Sequence, residues 1–366
     1  MTAGTSQEFT HDEVDEFLRS GWLIGLDQGN ALISWGRSKR SANPIPASLQ
    51  HYTCDFYGDE ETPWLSFEKS ARVAIPQLLA FLDDFACRPR SGFHFREPEF
   101  NDFARRFRRI QEAIARDEIE KAVPVVFATA AATMTKAMRA HCIRQLLQRL
   151  KGQTPYAYLS PTSGIIGGTP ETLFSFENGS RTLCTMALAG TRATSEEKAH
   201  SLLTDSKERF EHELVARGLR EKLQALGELE ISGPRVWDIG RLSHLRSDVR
   251  LNIANDSVRP DRLFSEMVAL LHPTPALGVA PVSVDWRRCL KSLDEPVERG
   301  RFGAPFGLVD PEGRTQALVA IRNVQWNEQG SVLIGSGCGV VKGSHVEQEW
   351  QEMELKRRSV RELLGL

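Results

Sequence analysis

The sequence of 366 residues has no apolar run long enough to cross a membrane as a helix, and its N-terminus lacks a signal-peptide pattern. It has no phosphate-binding loop and no dinucleotide-binding fingerprint. Its 46 basic and 48 acidic residues leave a formal net charge of −2, so there is no broad basic surface for nucleic acid. We therefore expect a cytoplasmic protein, with neither a membrane nor a nucleic acid as partner, that holds any anionic ligand through local groups.

Cysteine is sparse, and its spacing matches neither Cys-x-x-Cys nor the cysteine and histidine spacing of zinc sites. We expect reduced thiols, as in most cytoplasmic proteins. The six residues are Cys54, Cys87, Cys142, Cys184, Cys289 and Cys338. The composition, 41% hydrophobic and 26% charged, indicates an ordinary globular protein of one large or two medium domains.

The closing stretch of the chain contains a predicted strand, a glycine-rich turn and a helix in direct succession. The strand, residues 320–324, places Arg322 among apolar neighbours, and a second strand at residues 331–334 completes a hairpin. In the turn that follows, residues 335–341, alternate glycines leave backbone N–H groups uncovered. Such groups suit a bound carboxylate or phosphate, and the alternative interpretation is simply a tight turn.

Two predicted helices each carry a Glu-x-x-Glu pair beside their apolar face, at about 100° of rotation per residue. In the helix at residues 205–226 the pair is Glu208 and Glu211, and in the C-terminal helix it is Glu349 and Glu352. Carboxylate oxygens are ligands that Mg²⁺ prefers, so the two pairs together could clamp one Mg²⁺ ion. The alternative for the C-terminal pair is an ordinary i,i+4 salt bridge from Glu352 to Lys356.

Two further charged residues lie at the ends of predicted strands. Lys121 precedes a nearly unbroken apolar run, a position at which a lysine is usually a snorkelling surface residue. Glu171 lies between a turn and an apolar strand. The predicted strands around it are residues 156–160, 164–168, 172–176 and 181–188. They are expected to form a meander that ends at residues 189–192.

Taken together, these segments resemble the chorismate-utilising enzymes, which include isochorismate synthases, salicylate synthases and the synthase subunits that make anthranilate and aminodeoxychorismate. The resemblance covers residues 99–366, and the consistent order of its motifs is more specific than any single motif. The matching pieces are Glu120-Lys121, Gly168-Thr169-Pro170-Glu171, Ala189-Gly190-Thr191-Arg192, Lys207 to His212, His244-Leu245, Ile321-Arg322, Gly335 to Val341, and Glu349 to Lys356.

The resemblance implies an α+β fold, the chorismate-binding sandwich of two antiparallel sheets with helices outside, as in anthranilate synthase component I. Residues 99–366 would form the catalytic core. Residues 1–98 would be a variable N-terminal part of the same sandwich.

The resemblance also implies roles for individual residues. Glu211 and Glu352 would bind Mg²⁺, with Glu208 and Glu349 close by. Lys121 would be the general base that activates the attacking water. Glu171 would be the general acid that protonates the departing ring hydroxyl. The residues expected to bind the substrate are Gly190, Thr191, His244, Ala276, Leu277, Phe302, Arg322, Gly337, Gly339 and Lys356.

Among the relatives, isochorismate synthase is favoured. The loop at residues 271–276 is similar to the version found in those enzymes, and Phe302 stands where salicylate synthases usually have tyrosine. The implied reaction is Mg²⁺-dependent conversion of chorismate to isochorismate, for menaquinone or siderophore biosynthesis, by a monomer or homodimer without an obligatory amidotransferase. The alternatives are a salicylate synthase or an ammonia-using synthase subunit.

Overall fold

The computed structural model describes residues 9–86, 93–176, 181–194, 202–254, 260–294, 298–312 and 314–366. Cys87 lies outside these ranges. Cys54, Cys142, Cys184 and Cys338 are free thiols. No helix in the described part of the chain is long and apolar enough to span a membrane.

Within those ranges the chain forms nineteen β-strands. They are β1 (Gly21–Gly25), β2 (Asn30–Ser41), β3 (Gln50–Thr53), β4 (Trp64–Ala74), β5 (Lys121–Ala122), β6 (Val125–Ala131), β7 (Thr154–Leu159), β8 (Gly164–Thr169), β9 (Thr172–Phe176), β10 (Thr182–Ala193), β11 (Gly227–Ile231), β12 (Arg235–Ile239), β13 (Leu242–Ile253), β14 (Val279–Ala280), β15 (Pro305–Val309), β16 (Thr315–Val319), β17 (Asn323–Trp326), β18 (Ser331–Gly337) and β19 (Val340–Val341).

The principal α-helices of the same ranges are α1 (His11–Arg19), α2 (Ile75–Phe85), α3 (Phe100–Ala115), α4 (Lys136–Arg149), α5 (Ser206–Leu223), α6 (Pro260–Leu271), α7 (Trp286–Asp294) and α8 (Val346–Leu364). The helix predicted at residues 205–226 is α5. Asp205 is its N-cap and accepts a hydrogen bond from the backbone N–H of Glu208. Residues 224–226 form a separate 3₁₀ turn.

Sixteen of the described strands form one antiparallel sheet, in the order β11-β13-β10-β9-β16-β15-β3-β4-β2-β1-β7-β8-β17-β18-β6, with β12 paired to β13. The sheet folds over on itself. Trp22 on β1 and Phe306 on β15 are separated by three strands in this order, yet their rings stack with centroids 3.9 Å apart. They belong to an apolar cluster that also contains residues of β4, β7, β8 and β16, so the two halves of the sheet pack face to face.

The helices cover the outer faces of this sandwich. One apolar cluster joins α3, α5, α6 and α8 to β9, β10 and β13. Another joins α1, α2 and α4 to β1, β7, β17 and β18. The predicted α+β sandwich of antiparallel sheets with helices outside is therefore confirmed. Strands β1–β4, which precede residue 99, are interior members of the same large sheet.

The predicted meander was wrong in its pairing. Strands β8 and β9 are consecutive in the chain but are not paired: β8 pairs with β17, and β9 pairs with β16. The break falls at Pro170 and Glu171, where proline cannot donate a ladder hydrogen bond. Glu171 consequently lies where the chain passes from one half of the sheet to the other.

The predicted strand at residues 320–324 was also misplaced, because residues 320–322 lie outside β17. They form the matching crossover from β16 to β17, and Arg322 has a left-handed backbone with φ of 56°. The two crossovers lie side by side. The backbone N–H of Gly168 donates to the carbonyl of Arg322, and that of Val319 donates to the carbonyl of Glu171.

Two other strand ends differ from expectation. Strand β10 does not end at Leu188 but continues to Ala193, with a bulge at Gly190, whose φ is 80°. The glycine-rich segment is largely strand: β18 runs to Gly337 and pairs with β6 along its length. Only residues 338 and 339 separate β18 from β19.

A small second sheet, in the order β14-β5-β19, holds Lys121. The backbone of Lys121 is paired on one side with Ala280 and on the other with Val341. Pro124 separates this short strand from β6. Lys121 is therefore held between two strands that come from distant parts of the chain.

Candidate active site

A narrow cavity opens beside the two crossovers, and most of the predicted site residues line it. The cavity has a volume of about 70 Å³. The predicted residues in its wall are Glu171, Gly190, Thr191, Glu211, His244, Ala276, Leu277, Phe302, Arg322, Gly337, Gly339 and Lys356. Lys121, Glu208, Glu349 and Glu352 are not in that wall. Sequence reasoning assigned no role to the apolar lining residues Val123, Leu188 and Ile321.

A hydrogen-bonded chain orients Arg322 in the cavity wall. Arg322 Nη2 lies 3.3 Å from His244 Nε2, and His244 Nδ1 lies 3.0 Å from Thr191 Oγ1. A guanidinium can only donate, so His244 Nε2 accepts and Nδ1 carries the proton that is donated to Thr191. Burial, together with the charge of Arg322, lowers the pKa of His244 well below its ordinary value. The imidazole is therefore neutral and acts as a fixed acceptor.

The second terminal nitrogen of the guanidinium, Nη1, has no hydrogen-bond partner within the protein. Arg322 is 8% exposed, and its Nη1 atom is buried without a hydrogen-bond partner. A buried donor in this state is costly unless a ligand completes it. A carboxylate is the group that a guanidinium binds best.

Glu171 is a buried carboxyl in the cavity wall. It is only 4% exposed, and its backbone N–H donates to Thr169 Oγ1 at 3.1 Å. Burial raises the pKa of its carboxyl from 4.5 to about 7, even though Lys121, Lys356 and Arg322 act in the opposite direction. The carboxyl can therefore hold a proton near neutral pH.

Glycine is required where the backbone meets the charged side chains. A Cβ atom at Gly339 would overlap Glu211 Oε1 and Lys121 Cε. At Gly335 it would overlap the ring of Phe302. The carbonyl of Gly337 accepts a hydrogen bond from Lys356 Nζ at 2.8 Å. The glycines thus allow the strand to approach the site closely.

Lys121 is completely buried, so the interpretation as a snorkelling surface residue was wrong. Its Nζ atom donates to Glu211 Oε1 at 3.0 Å. Burial acts to raise the pKa of Glu211, but the ammonium groups of Lys121 and Lys207 outweigh it and lower that pKa to about 2. Lys121 does not line the cavity itself; its partner Glu211 does.

Glu208 and Glu211 of the α5 pair and Glu349 of the α8 pair contact one shared ammonium group, that of Lys207. Glu349 is 2% exposed and Glu208 is 6% exposed. Burial raises the pKa of each to about 7. Glu354, Gln351 and Glu347 are exposed on α8. Glu352 pairs with Lys356, so the predicted i,i+4 salt bridge is present as well.

The side chain that sequence reasoning overlooked is Lys207, at the start of α5. Its Nζ atom lies 2.8 Å from Glu349 Oε1, 3.3 Å from Glu208 Oε1 and 3.5 Å from Glu211 Oε2. The i,i+4 spacing from Lys207 to Glu211 was a usable signal. The contact with Glu349 was not, because it joins two helices that are far apart in sequence.

The residues fit a divalent cation in kind. Carboxylate oxygens are the ligands that Mg²⁺ prefers, and Glu349 Oε2 is buried without a partner. Among the described residues, however, no three histidine, cysteine, aspartate or glutamate side chains are grouped closely enough to hold a metal ion. The carboxylates point instead at the ammonium group of Lys207, which lies among them.

Fold and site together define a protein with a narrow cavity whose wall presents the unpartnered guanidinium nitrogen of Arg322, next to buried carboxylates that contact Lys207. The family model described as chorismate binding enzyme matches residues 61–365. This chain belongs to the family of chorismate-binding enzymes.

Relatives and a solved structure agree with this assignment. Isochorismate synthase 2, chloroplastic, from Arabidopsis thaliana is 33% identical, with 56% of this chain and 37% of the relative covered. The salicylate biosynthesis isochorismate synthase from Pseudomonas aeruginosa is 34% identical, with 55% and 42% covered. The match thus spans less than half the length of these relatives.

The structure of MenF, the menaquinone-specific isochorismate synthase from Escherichia coli, is similar with a TM-score of 0.75. The superposition covers 99% of this chain and 92% of that one, at 19% sequence identity. At this identity the similarity establishes the fold.

The buried acid gives a prediction about stability. The Glu171 carboxyl holds its proton up to about pH 7 in the folded protein but releases it near 4.5 when unfolded. The folded state binds more protons between these values, so this group makes the protein less stable as pH rises through that window. We compare the free energies of unfolding of Glu171→Gln and wild type by urea denaturation. The variant's value minus the wild-type value should rise by roughly 2–3 kcal/mol between about pH 5 and about pH 8.

Glu213→Gln is the matched control, since Glu213 lies on α5 and is exposed. Its difference from wild type should stay constant over the same pH range. A Glu171→Gln difference that is equally independent of pH would contradict the assignment of Glu171 as the buried neutral acid.

Proposed function

We propose that this chain converts chorismate to isochorismate with the help of Mg²⁺. In this reaction water is added at C2 and the hydroxyl at C4 is lost. Membership of the chorismate-binding enzymes and the names of the relatives support the reaction class. The observation that carries the proposal is the pairing of a neutral buried acid, Glu171, with a cavity wall that offers an unpartnered guanidinium nitrogen on Arg322.

Chorismate carries two carboxylates, and two parts of the site suit them. Arg322 Nη1 is a buried donor with no partner in the protein, which suits the enolpyruvyl carboxylate. Lys356 lies in the same cavity wall. When bound between Glu211 and Glu352, Mg²⁺ would supply positive charge for the ring carboxylate. The substrate ring is thereby oriented between the acid and the base.

Glu171 serves as the general acid. Hydroxide is a poor leaving group, and a positioned acid typically contributes about 10²–10⁴-fold to the rate. A carboxyl with a pKa of about 7 is protonated often enough at neutral pH to donate, and acidic enough to release its proton. An ordinary exposed glutamate would already be ionised.

Lys121 serves as the general base that takes a proton from the attacking water. The ammonium group that pairs with Glu211 has no free lone pair, so Lys121 must first release a proton to solvent and leave this ion pair. The neutral amine then accepts the proton of the attacking water. The base and the proposed metal ligand are therefore linked by direct contact. The small sheet of β14, β5 and β19 fixes the backbone of Lys121 on both sides during this change.

Phe302 supports a reaction that stops at isochorismate. Going on to salicylate would require expulsion of pyruvate from the same site. The ring of Phe302 packs edge-on against Phe127, with centroids 5.7 Å apart, and lies against Gly335. It has no hydroxyl with which to position the enolpyruvyl group for a second step.

The product distinguishes the candidate activities. Purified protein incubated with chorismate and Mg²⁺ should give a reversible mixture of chorismate and isochorismate, resolved by chromatography. Neither salicylate nor anthranilate fluorescence should develop when ammonium is supplied. Stoichiometric pyruvate release without a coupling lyase would favour a salicylate synthase, and anthranilate or aminodeoxychorismate would favour an ammonia-using synthase.

The proposed metal ligands can be tested by replacing one glutamate on α5 and one on α8. Glu211→Ala and Glu352→Ala should each lower turnover by at least about 10²-fold, because the ring carboxylate loses its positive partner. Glu354→Ala is the control, since Glu354 is exposed on the opposite side of α8. Equal activity of all three variants across a range of Mg²⁺ concentrations would refute the proposed clamp.

Removal of the base should separate catalysis from binding. Lys121→Met keeps much of the buried volume but loses the ammonium group, so turnover at saturating chorismate should fall by about 10²–10⁴-fold. Calorimetry with Mg²⁺ present should still show chorismate binding, because Lys121 is not assigned to either carboxylate. Lost binding with unchanged turnover at saturation would make Lys121 a substrate anchor instead.

A further inference from the structure

Two buried polar side chains hold the crossover that carries Arg322. Tyr156 lies on β7 and Asn323 is the first residue of β17, and both are completely buried. The Tyr156 hydroxyl donates to the carbonyl of Ile321 at 2.8 Å. Asn323 Nδ2 donates to the Tyr156 hydroxyl at 2.9 Å and to the carbonyl of Ala320 at 2.6 Å. The two side chains therefore bind both backbone carbonyls that come just before Arg322.

The chemistry of these groups fixes which atom donates at each contact. A carbonyl can only accept, so the Asn323 amide must turn its Nδ2 atom toward Ala320. The Tyr156 hydroxyl gives its single proton to Ile321 and accepts from Asn323. Burial raises the pKa of Tyr156 above its ordinary value, although the hydrogen bond from Asn323 acts in the opposite direction. The hydroxyl therefore keeps the proton that it donates.

A glycine on the intervening strand allows this contact. Strand β8 lies between β7 and β17, and Gly167 is paired with Tyr156 on one side and with Asn323 on the other. A Cβ atom at Gly167 would lie 2.7 Å from the Tyr156 hydroxyl and 2.7 Å from Asn323 Cβ. The two side chains therefore meet across a backbone position that has no side chain of its own.

Arg322 needs support because its backbone is strained and its side chain is only partly bound. Its φ of 56° lies in the left-handed region, which is unfavourable for a residue with a long side chain. Such a conformation persists only when the surrounding structure fixes it. Its Nη2 atom contacts His244, whereas Nη1 is buried without a partner. The direction of Nη1 therefore depends on where the crossover backbone is held.

We propose that Tyr156 and Asn323 are positioning residues that aim the guanidinium of Arg322 into the cavity. Neither residue lines the cavity, whereas Ile321 and Arg322 do. Tyr156 and Asn323 act through the backbone of residues 320–322. This inference rests on the proposed function, in which Arg322 binds the enolpyruvyl carboxylate of chorismate.

Removal of one oxygen atom tests this role. Tyr156→Phe keeps the aromatic ring but takes the donor away from the Ile321 carbonyl. Arg322 should then bind the carboxylate less well in the ground state and in the transition state alike. The KM for chorismate should rise about tenfold, whereas kcat should stay within about twofold of wild type.

Tyr158→Phe is the matched control. Tyr158 lies two residues further along β7, on the same face of the strand, and it is also buried. Its hydroxyl accepts a hydrogen bond from Arg40 Nη2 at 3.2 Å and does not contact the crossover. Both kcat and KM of this variant should stay within about twofold of wild type.

A double-mutant cycle tests whether the effect passes through Arg322. In an Arg322→Met background, Tyr156→Phe should change kcat/KM by less than about twofold, because no guanidinium is left to aim. A role of Tyr156 in general stability would lower kcat/KM equally in both backgrounds. Asn323→Leu removes the donor to Ala320 at similar volume and is an independent second variant, which should also raise KM with little change in kcat.

Hydrogen exchange, followed by mass spectrometry, reports on the crossover without any turnover. The backbone N–H groups of Ala320 and Ile321 donate to the carbonyls of Ala304 and Val319. Without chorismate, exchange in peptides that cover residues 319–323 should be several-fold faster in Tyr156→Phe than in wild type. Tyr158→Phe should exchange there at the wild-type rate.

The outcomes separate this inference from the proposed function. If wild type converts chorismate but Tyr156→Phe lowers kcat/KM equally with and without the Arg322 guanidinium, the positioning role is overturned and the proposed function stands. Unchanged exchange at the crossover in Tyr156→Phe would overturn it as well. If wild type neither binds nor converts chorismate, the proposed function fails, and the aiming of Arg322 at this substrate fails with it.

Discussion

The structure depends on the neutralisation of buried carboxylates by lysines that come from other parts of the chain. Glu211 is held by Lys121 from β5 and by Lys207 from its own helix, and Glu349 on α8 is held by the same Lys207. Removing one partner of a buried ion pair leaves an uncompensated charge, which is strongly destabilising. The small sheet, α5 and α8 must therefore assemble together for any of these charges to be tolerated.

The large sheet forms the cavity that lies beside these ion pairs. An uninterrupted sheet would fill its interior with ladder hydrogen bonds and apolar side chains. Here the chain crosses from β8 to β9 and from β16 to β17 at adjacent places, and each crossing places one residue in the cavity wall, Glu171 or Arg322. Arg322 has a left-handed backbone conformation in the crossover from β16 to β17. A polar cavity therefore lies beside the two crossovers, where a continuous sheet would have packed apolar side chains.

One residue type serves different purposes because its surroundings differ. Glu171 and Glu211 line the same cavity, yet burial raises the pKa of Glu171 to about 7, whereas Lys121 and Lys207 reverse the effect of burial and lower that of Glu211 to about 2. The first carboxyl can donate a proton, and the second remains an anion ready for a cation. Separation of the two pKa values would let the proposed acid catalysis and cation binding proceed in one cavity.

The sequence by itself determined which faces of the helices are charged. Helical spacing alone placed Glu208, Glu211, Glu349 and Glu352 beside the apolar faces of their helices, because that periodicity is a local property of the chain. The order of motifs also identified the family and most residues that line the cavity.

Only the tertiary structure decided the pairings over long distances. In the folded protein β8 and β9 are not paired, and Arg322 lies in a crossover and not in a strand. Lys121 is buried, and Lys207 forms an ion pair with Glu349. Strand pairing and ion pairs between distant elements depend on which surfaces meet in three dimensions, and no local pattern in the sequence encodes that meeting.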